Sequence, residues 1–462
     1  MTSSTNHSEN HSAIGTEARR LLLLALPLMG AQLAQMGMGV TDVIMAGHYS
    51  SVDLAGVMLA TSVMWPVTML LMGVVQAVTP TIAQLNGANK YAEIGEVLRQ
   101  GLWIAILGGV IASLVLTNIS PFYRFVGVDP SAAAISIPYL KMTAFGVPAL
   151  MCFYCLRFLA DGTGYTRPAL IIAVSALLCK VPLNYILIHG HFGLPELCGV
   201  GCGVAQAIVM WVQLILILLV VSRKRFDHTR WMRHFSWPDW QRIKPLLVVG
   251  VPIGLTLFAE IGLFSLTTLL IGRFGAEFVA SHSIAMNING LLFMLPFALG
   301  MAATIRIGYR VGAGEIMPAR TTAAIAVVST VIFSIIGALF ILATREYLVA
   351  IFSNDPVVRE LSYSLLLFVV FFLIFDATQA NAIGCLRGYK DTRRPLIIAL
   401  FSYWVIGLPL GSALGFGWFS DPMGVYGFWI GLSSGLGAAA CLLCARLWHV
   451  SKNETLIRTL AG

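Results

Sequence analysis

Residues 367–381 read LFVVFFLIFDATQAN, an unbroken apolar run from Leu367 to Phe375 that is interrupted by Asp376 and then by Gln379 and Asn381. A stretch of this kind belongs in hydrocarbon, where a carboxylate at the centre of a helix costs about 2.5–3.5 kcal/mol on insertion scales. Two further stretches repeat the pattern: GMGVTDVIMAG at 37–47 carries Asp42, and PIGLTLFAEIGLFSL at 252–266 carries Glu260. Three acids inside apolar helices need a reason, and the handling of protons or sodium is the usual one.

The rest of the chain agrees with that medium. Hydrophobic residues make up 58% of the 462, charged residues only 11%, and the mean hydropathy is +0.84. One soluble core could not bury so much apolar side chain. Runs of about 20 apolar residues predict twelve spans, at 20–45, 53–84, 94–118, 131–158, 167–189, 199–222, 244–272, 276–309, 318–343, 357–386, 395–415 and 424–448. The expected fold is therefore an all-α membrane protein of twelve transmembrane helices. Residues 1–17 are polar and lack the apolar core of a signal peptide, which predicts a disordered cytoplasmic tail. Six of the eight cysteines (Cys152, Cys155, Cys179, Cys385, Cys441 and Cys444) lie in apolar runs, where Cys packs as a small hydrophobe, so neither a disulfide framework nor a zinc site is expected.

Orientation follows from the bases. With a cytoplasmic amino terminus, most of the 29 Lys and Arg fall on the cytoplasmic side, among them Arg223, Lys224, Arg225, Arg230 and Arg233 in the longest connection. Both termini are then cytoplasmic. The net charge of +8 reports topology and contact with anionic membrane lipids, with no nucleic-acid partner.

That connection, 223–243, separates two halves that resemble each other. A shift of 225 positions pairs Pro27 with Pro252, Gly37 with Gly262, Met69 with Met294, Thr79 with Thr304 and Ile82 with Ile307; a shift of 227 pairs Arg167, Pro168 and Pro182 with Arg394, Pro395 and Pro409. The chain is an internal duplication. It predicts two pseudo-symmetric six-helix bundles, 18–222 and 244–448, with a tail at 449–462. Six spans is an even number, so both halves enter the membrane in the same sense, the parallel repeat found in transporters.

Under the 225 shift Glu260 falls opposite Gln35 and Asp42 opposite Thr267, so the two bundles share a scaffold and differ in chemistry. Glu260 and Asp376 can converge in the second bundle and exchange a proton there; both ionised, they could instead hold sodium as a metal site. Asp42 has no acidic mate. Lys180, in the middle of a span, is expected to pair with it or else to snorkel toward an interface. Gln35, Asn184 and Asn287, with Asp42, are candidate substrate contacts. Flexible thioethers at Met29, Met36, Met38 and Met45, and at Met286 and Met294, suit a cavity for dissimilar apolar cations. The bland alternative is that all these polar groups only hold helices together.

Several phrases together resemble the multidrug and toxic compound extrusion (MATE) family, most closely its NorM branch. They are TDVIMAGHYS at 41–50, HGHFGLPELCGVGCGVA at 189–205, AEIGLF at 259–264, SHSIAMN at 281–287, CLRGYKDTRRP at 385–395 and SYWVIGLPLG at 402–411. The resemblance implies a V-shaped antiporter of the bacterial inner membrane that expels organic cations and drugs in exchange for inward sodium or protons, without a cofactor. It places the family's coupling acids on Glu260 and Asp376 and its amino-lobe acid on Asp42. NorM relatives commonly carry Asn where this chain has Lys180, and a sodium-assisting Tyr of some relatives falls on Phe372; both departures remove neutral oxygen ligands and favour protons. The rival is a lipid-linked oligosaccharide flippase of related architecture, whose cavity should be lined by Lys and Arg. No HExxH motif points to an enzyme.

Overall fold

Backbone amides in hydrocarbon find no water, so the chain must cross as helices. The computed structural model describes residues 3–193, 195–418 and 421–461, with the backbone alone at 3–13, 192 and 461. Among these residues there is no strand. We number the spans α1 (Ser3–Tyr49), α2 (Ser51–Gly87), α3 (Tyr91–Thr117), α4 (Pro130–Ala144 with Val147–Gly162), α5 (Arg167–His189) and α6 (Val200–Val221). The second half continues with α7 (Trp240–Ile271), α8 (Ala276–Gly312), α9 (Ile316–Phe352), α10 (Pro356–Gly388), α11 (Arg393–Phe416) and α12 (Val425–Lys452). Eleven of these are long and apolar enough to cross a membrane, and the α4 pair, bent by 50°, makes a twelfth. The expected spans are all found, several of them extended by a turn or two.

Local chemistry sets the ends. Asp129 caps the first α4 segment by accepting from the amides of Ser131 and Ala132, and bonds from the Ser131 hydroxyl and these amides hold its carboxyl below the usual range. Asp355 caps α10 in the same way, with Pro356 at the first helical position. In α11 the helix opens into a π stretch at Phe401–Gly407, just before Pro409. Proline lacks an amide donor and crowds the preceding turn, and a wider turn relieves both problems.

The polar head differs from expectation. Residues 3–17 continue α1 as helix, whereas positions 1 and 2 of the expected tail lie outside the described residues. The reason is Glu17, a buried carboxylate that accepts from Arg306 Nε (3.0 Å) and Nη2 (2.8 Å), Arg310 Nη2 (3.1 Å) and Thr322 Oγ1 (3.0 Å). An established helix extends backwards from such an anchor without a new nucleation cost. At the other end, 449–452 belong to α12 and Glu454–Ala461 form a short helix, with position 462 outside the described residues.

The chain forms two compact units, one running up to Met29 and resuming at Leu255, the other Gly30–Gly254. Both cuts fall inside helices, α1 and α7, at positions related by the same 225-residue shift (255 − 30 = 225). Each unit therefore takes the first part of the other repeat's opening helix, and the sequence repeat and the compact units differ by these two ends.

Equivalent contacts recur in the two units. A Cβ on Gly162 would lie 2.9 Å from Ile82 Cγ2 and 3.0 Å from the Thr79 carbonyl oxygen; one on Gly388 would lie 2.9 Å from Ile307 Cβ and 3.0 Å from the Thr304 carbonyl oxygen. Gly388→Ala is expected to cost about 1–3 kcal/mol through overpacking, read as a lowered melting temperature of the purified protein. The next turn recurs as well, with Gly164 at φ +78° in one unit and Lys390 at φ +60° in the other.

A left-handed lysine costs roughly 1–2 kcal/mol, and burial pushes the Lys390 amine down to about 8. Below pH 8 both native and unfolded amines are charged and the native state carries the burial cost. Between about 8 and the ordinary lysine range the native amine is neutral, so stability rises with pH there. Lys390→Gly should flatten that rise in a melting series from pH 7 to pH 10; an unchanged slope would rule Lys390 out as its source.

Candidate functional site

Four helices of the first unit converge on two acids. Glu260 follows Pro252 by two turns on α7, and Asp376 sits on α10 with 3% of its surface exposed. One turn beyond Asp376 the Gln379 amide reaches both, its Nε2 lying 3.0 Å from Glu260 Oε1 and 3.5 Å from Asp376 Oδ1. On the other side of the amide Tyr403 donates its hydroxyl to Gln379 Oε1 at 2.6 Å, which favours this orientation. Tyr403 comes from the π stretch of α11, so the widened turn supplies the group that orients the bridge. Asn289 of α8 donates to Asp376 Oδ2 at 3.3 Å.

Neither acid has a Lys or Arg nitrogen within 4.0 Å among the described residues. Arg387 is buried about three turns beyond Asp376 on α10. Two carboxyl groups that share one amide and no ion-paired base can exchange a cation: the arrangement suits one negative charge or none better than two.

The second unit solves the same problem differently. Asp42 on α1 accepts from Lys180 Nζ at 2.7 Å and from Asn184 Nδ2 at 2.8 Å, both on α5 one turn apart. Lys180 also bonds Gln206 of α6. Asp42 and Lys180 are buried, with 3% and 1% exposure, so the charge on Asp42 is matched inside the unit. Lys180 pairs and does not snorkel.

Beside this pair lies a cavity lined by Gln35 and by Met38, Met64, Met69, Met72 and Met210, with Trp65 and Tyr154 among its aromatic walls. Of the methionines singled out in the sequence only Met38 lines it. Thr61, Trp65, Thr68 and Met72 recur at helical spacing on α2 and all line it, a pattern that was legible and was missed. Asn287, expected as a substrate contact, is exposed and donates to the Ser283 carbonyl of its own helix at 2.8 Å. Asn289 is the asparagine of α8 that reaches an acid. A second buried ion pair, Arg157 with Asp161 at 3.5 Å on α4, also went unread.

Duplicated twelve-span architecture with buried acids in each unit defines a membrane transporter bundle. The MatE family model matches residues 27–186 and 252–412, one block in each half. The chain is 41% identical to multidrug resistance protein PmpM of Pseudomonas aeruginosa across 94% of this chain and 92% of that protein. It is 40% identical to multidrug resistance protein MdtK of Yersinia pseudotuberculosis across 95% of this chain and 97% of that one. Among solved structures, the eukaryotic MATE transporter AtDTX14 superposes with a TM-score of 0.88 at 22% identity, covering 97% of this chain and 99% of that one. Vibrio cholerae MATE transporter VcmN in its bent form gives 0.84 at 19% identity, covering 96% and 99%. The chain belongs to the MatE family. It is a multi-pass membrane protein and not an enzyme.

Proposed function

We propose that this protein is a multidrug efflux antiporter of the bacterial inner membrane, with both termini cytoplasmic, exporting organic cations and drugs in exchange for inward protons. The observation that carries the reading is the Glu260–Gln379–Asp376 bridge, two acids without an ion-paired base. The relatives' names supply the substrate class, and the thioether-rich cavity beside Asp42 and Gln35 suits flat apolar cations of varied shape. Sodium is the second candidate ion. Protons are favoured because Lys180 occupies Asp42 and Phe372 offers no oxygen near the other site.

A coupling ion moves a conformational equilibrium only by its differential affinity for the two states. Neutralising one carboxyl removes an acceptor from the Gln379 and Asn289 N–H groups and adds an O–H donor, and this repacks α7, α8 and α10 against one another. Each inward charge adds about 2.3 kcal/mol per 100 mV of membrane potential. A flippase is disfavoured, since the one lysine in the cavity wall is already paired with Asp42.

The test uses proteoliposomes loaded with a fluorescent organic cation. An acid jump on the side opposite the dye should drive its release, and a sodium jump at constant pH should not. Release under neither gradient would overturn the reading, and release under sodium alone would reassign the ion.

A further inference from the structure

Beyond transport, the geometry points to a binding site for the phosphate of an anionic phospholipid headgroup, formed by Arg225, His228, Arg230 and Arg233 against Tyr91 of α3. It lies within the Gly30–Gly254 unit, on connections that the distribution of bases assigns to the cytoplasmic side. Two adjoining recesses share Tyr91 and His228: one also takes in Arg230 and Arg233, the other Arg225. Among the described residues none of the three guanidiniums has a carboxylate oxygen within 4.0 Å, although Asp227 lies in the wall of the first recess. Three arginines and a histidine against one aspartate leave an excess of unneutralised donors facing open space.

The platform is built and not a loose run of charge. Phe226 is buried in the hydrophobic core, 1% exposed. Arg99 Nη1, Gln100 Nε2 and Trp103 Nε1 of α3 donate to the backbone oxygens of Trp231, Trp237 and Ser236 at 3.2, 3.0 and 3.0 Å. Arg225 stacks 4.2 Å above the ring of Tyr165, and His228 meets Tyr91 edge to face at 5.0 Å. These contacts fix the backbone, the Arg225 guanidinium and the His228 ring, while Arg225, Arg230 and Arg233 all remain exposed.

A second observation selects a lipid. The same connection exposes Met232 (65%), Phe235 (72%), Trp237 (75%) and Trp240 (66%) within nine positions. Aromatic side chains so exposed beside the end of a span sit at the headgroup level of a bilayer, where their apolar bodies meet acyl chains. That depth puts the arginines at the height of lipid phosphates. Basic pockets on the cytoplasmic side of helix bundles take anionic headgroups by this logic.

The test compares lipid retention by native mass spectrometry of the full-length protein exchanged from detergent micelles containing phosphatidylglycerol or phosphatidylcholine. Wild type should retain phosphatidylglycerol about tenfold better. The triple variant Arg225→Gln, Arg230→Gln, Arg233→Gln should retain the two alike, with an unchanged melting temperature. Arg124→Gln, an exposed base on an opposite-side connection, should behave as wild type. Equal retention of the two lipids by wild type, or undiminished preference in the triple variant, overturns the site. Displacement of the lipid by millimolar glycerol 3-phosphate would also overturn it, in favour of a soluble phosphate ligand. Dye transport is not part of the readout, so failure here is separate from failure of the antiport reading.

Discussion

Lys180→Met is expected to be among the most destabilising single substitutions in the chain. It leaves Asp42, 3% exposed, with the Asn184 amide as its remaining close donor and strands the Gln206 oxygen that Lys180 had bonded. Removing one partner of a buried pair costs about 3–5 kcal/mol, because the survivor keeps its desolvation penalty and loses its attraction. Replacing both partners removes the penalty as well, so the double variant Asp42→Asn, Lys180→Met should recover most of the loss. Thermal unfolding in detergent of wild type, the two single variants Lys180→Met and Asp42→Asn, and the double variant completes the cycle. A Lys180→Met protein that melts with wild type would mean that Asp42 is not held by this pair.

Glu260→Gln and Asp376→Asn are expected to do the reverse, sparing the fold and abolishing the work. Each swaps an acid for a near-isosteric amide in a network already made of amides, so Gln379 and Asn289 can still find partners and the cost in stability should stay near 1 kcal/mol. Gradient-driven dye extrusion should fall at least about tenfold in either variant, because a neutral amide has no differential affinity for the coupling ion in the two conformations. The purified variants should still bind the same dye, more weakly than wild type because drug and proton compete, the cavity beside Gln35 lying in the other unit. Wild-type extrusion by Glu260→Gln would remove that acid from the mechanism.

Much of this was legible in residues alone. Three acids in apolar runs marked both sites, and the duplication set the helix count, since apolar length is what a bilayer measures. The pairing of Lys180 with Asp42 was one of two readings open in the sequence, the other being a lysine that snorkels toward an interface. The linkers were harder to see. Gln379 stood out only as a polar residue one turn beyond Asp376, and nothing in SYWVIGLPLG announces a π turn that brings Tyr403 onto it. Asn287 and Asn289 stand two apart on α8, and which of them faces Asp376 depends on helix rotation, which the sequence leaves open. Glu17 was read as part of a tail because its partners, Arg306, Arg310 and Thr322, are about 300 residues away. The exchange of helix ends between the units was invisible for the same reason: repeats in sequence record descent, whereas compactness records contact.

The most direct test of the central claim is proton release on drug binding. An organic cation is added to weakly buffered, detergent-solubilised protein near neutral pH, and the bulk pH is followed. Wild type should release protons as the cation binds, and the double variant Glu260→Gln, Asp376→Asn should bind it and release none. Equal release from both proteins, or none from wild type at saturating dye, would contradict exchange at the two acids.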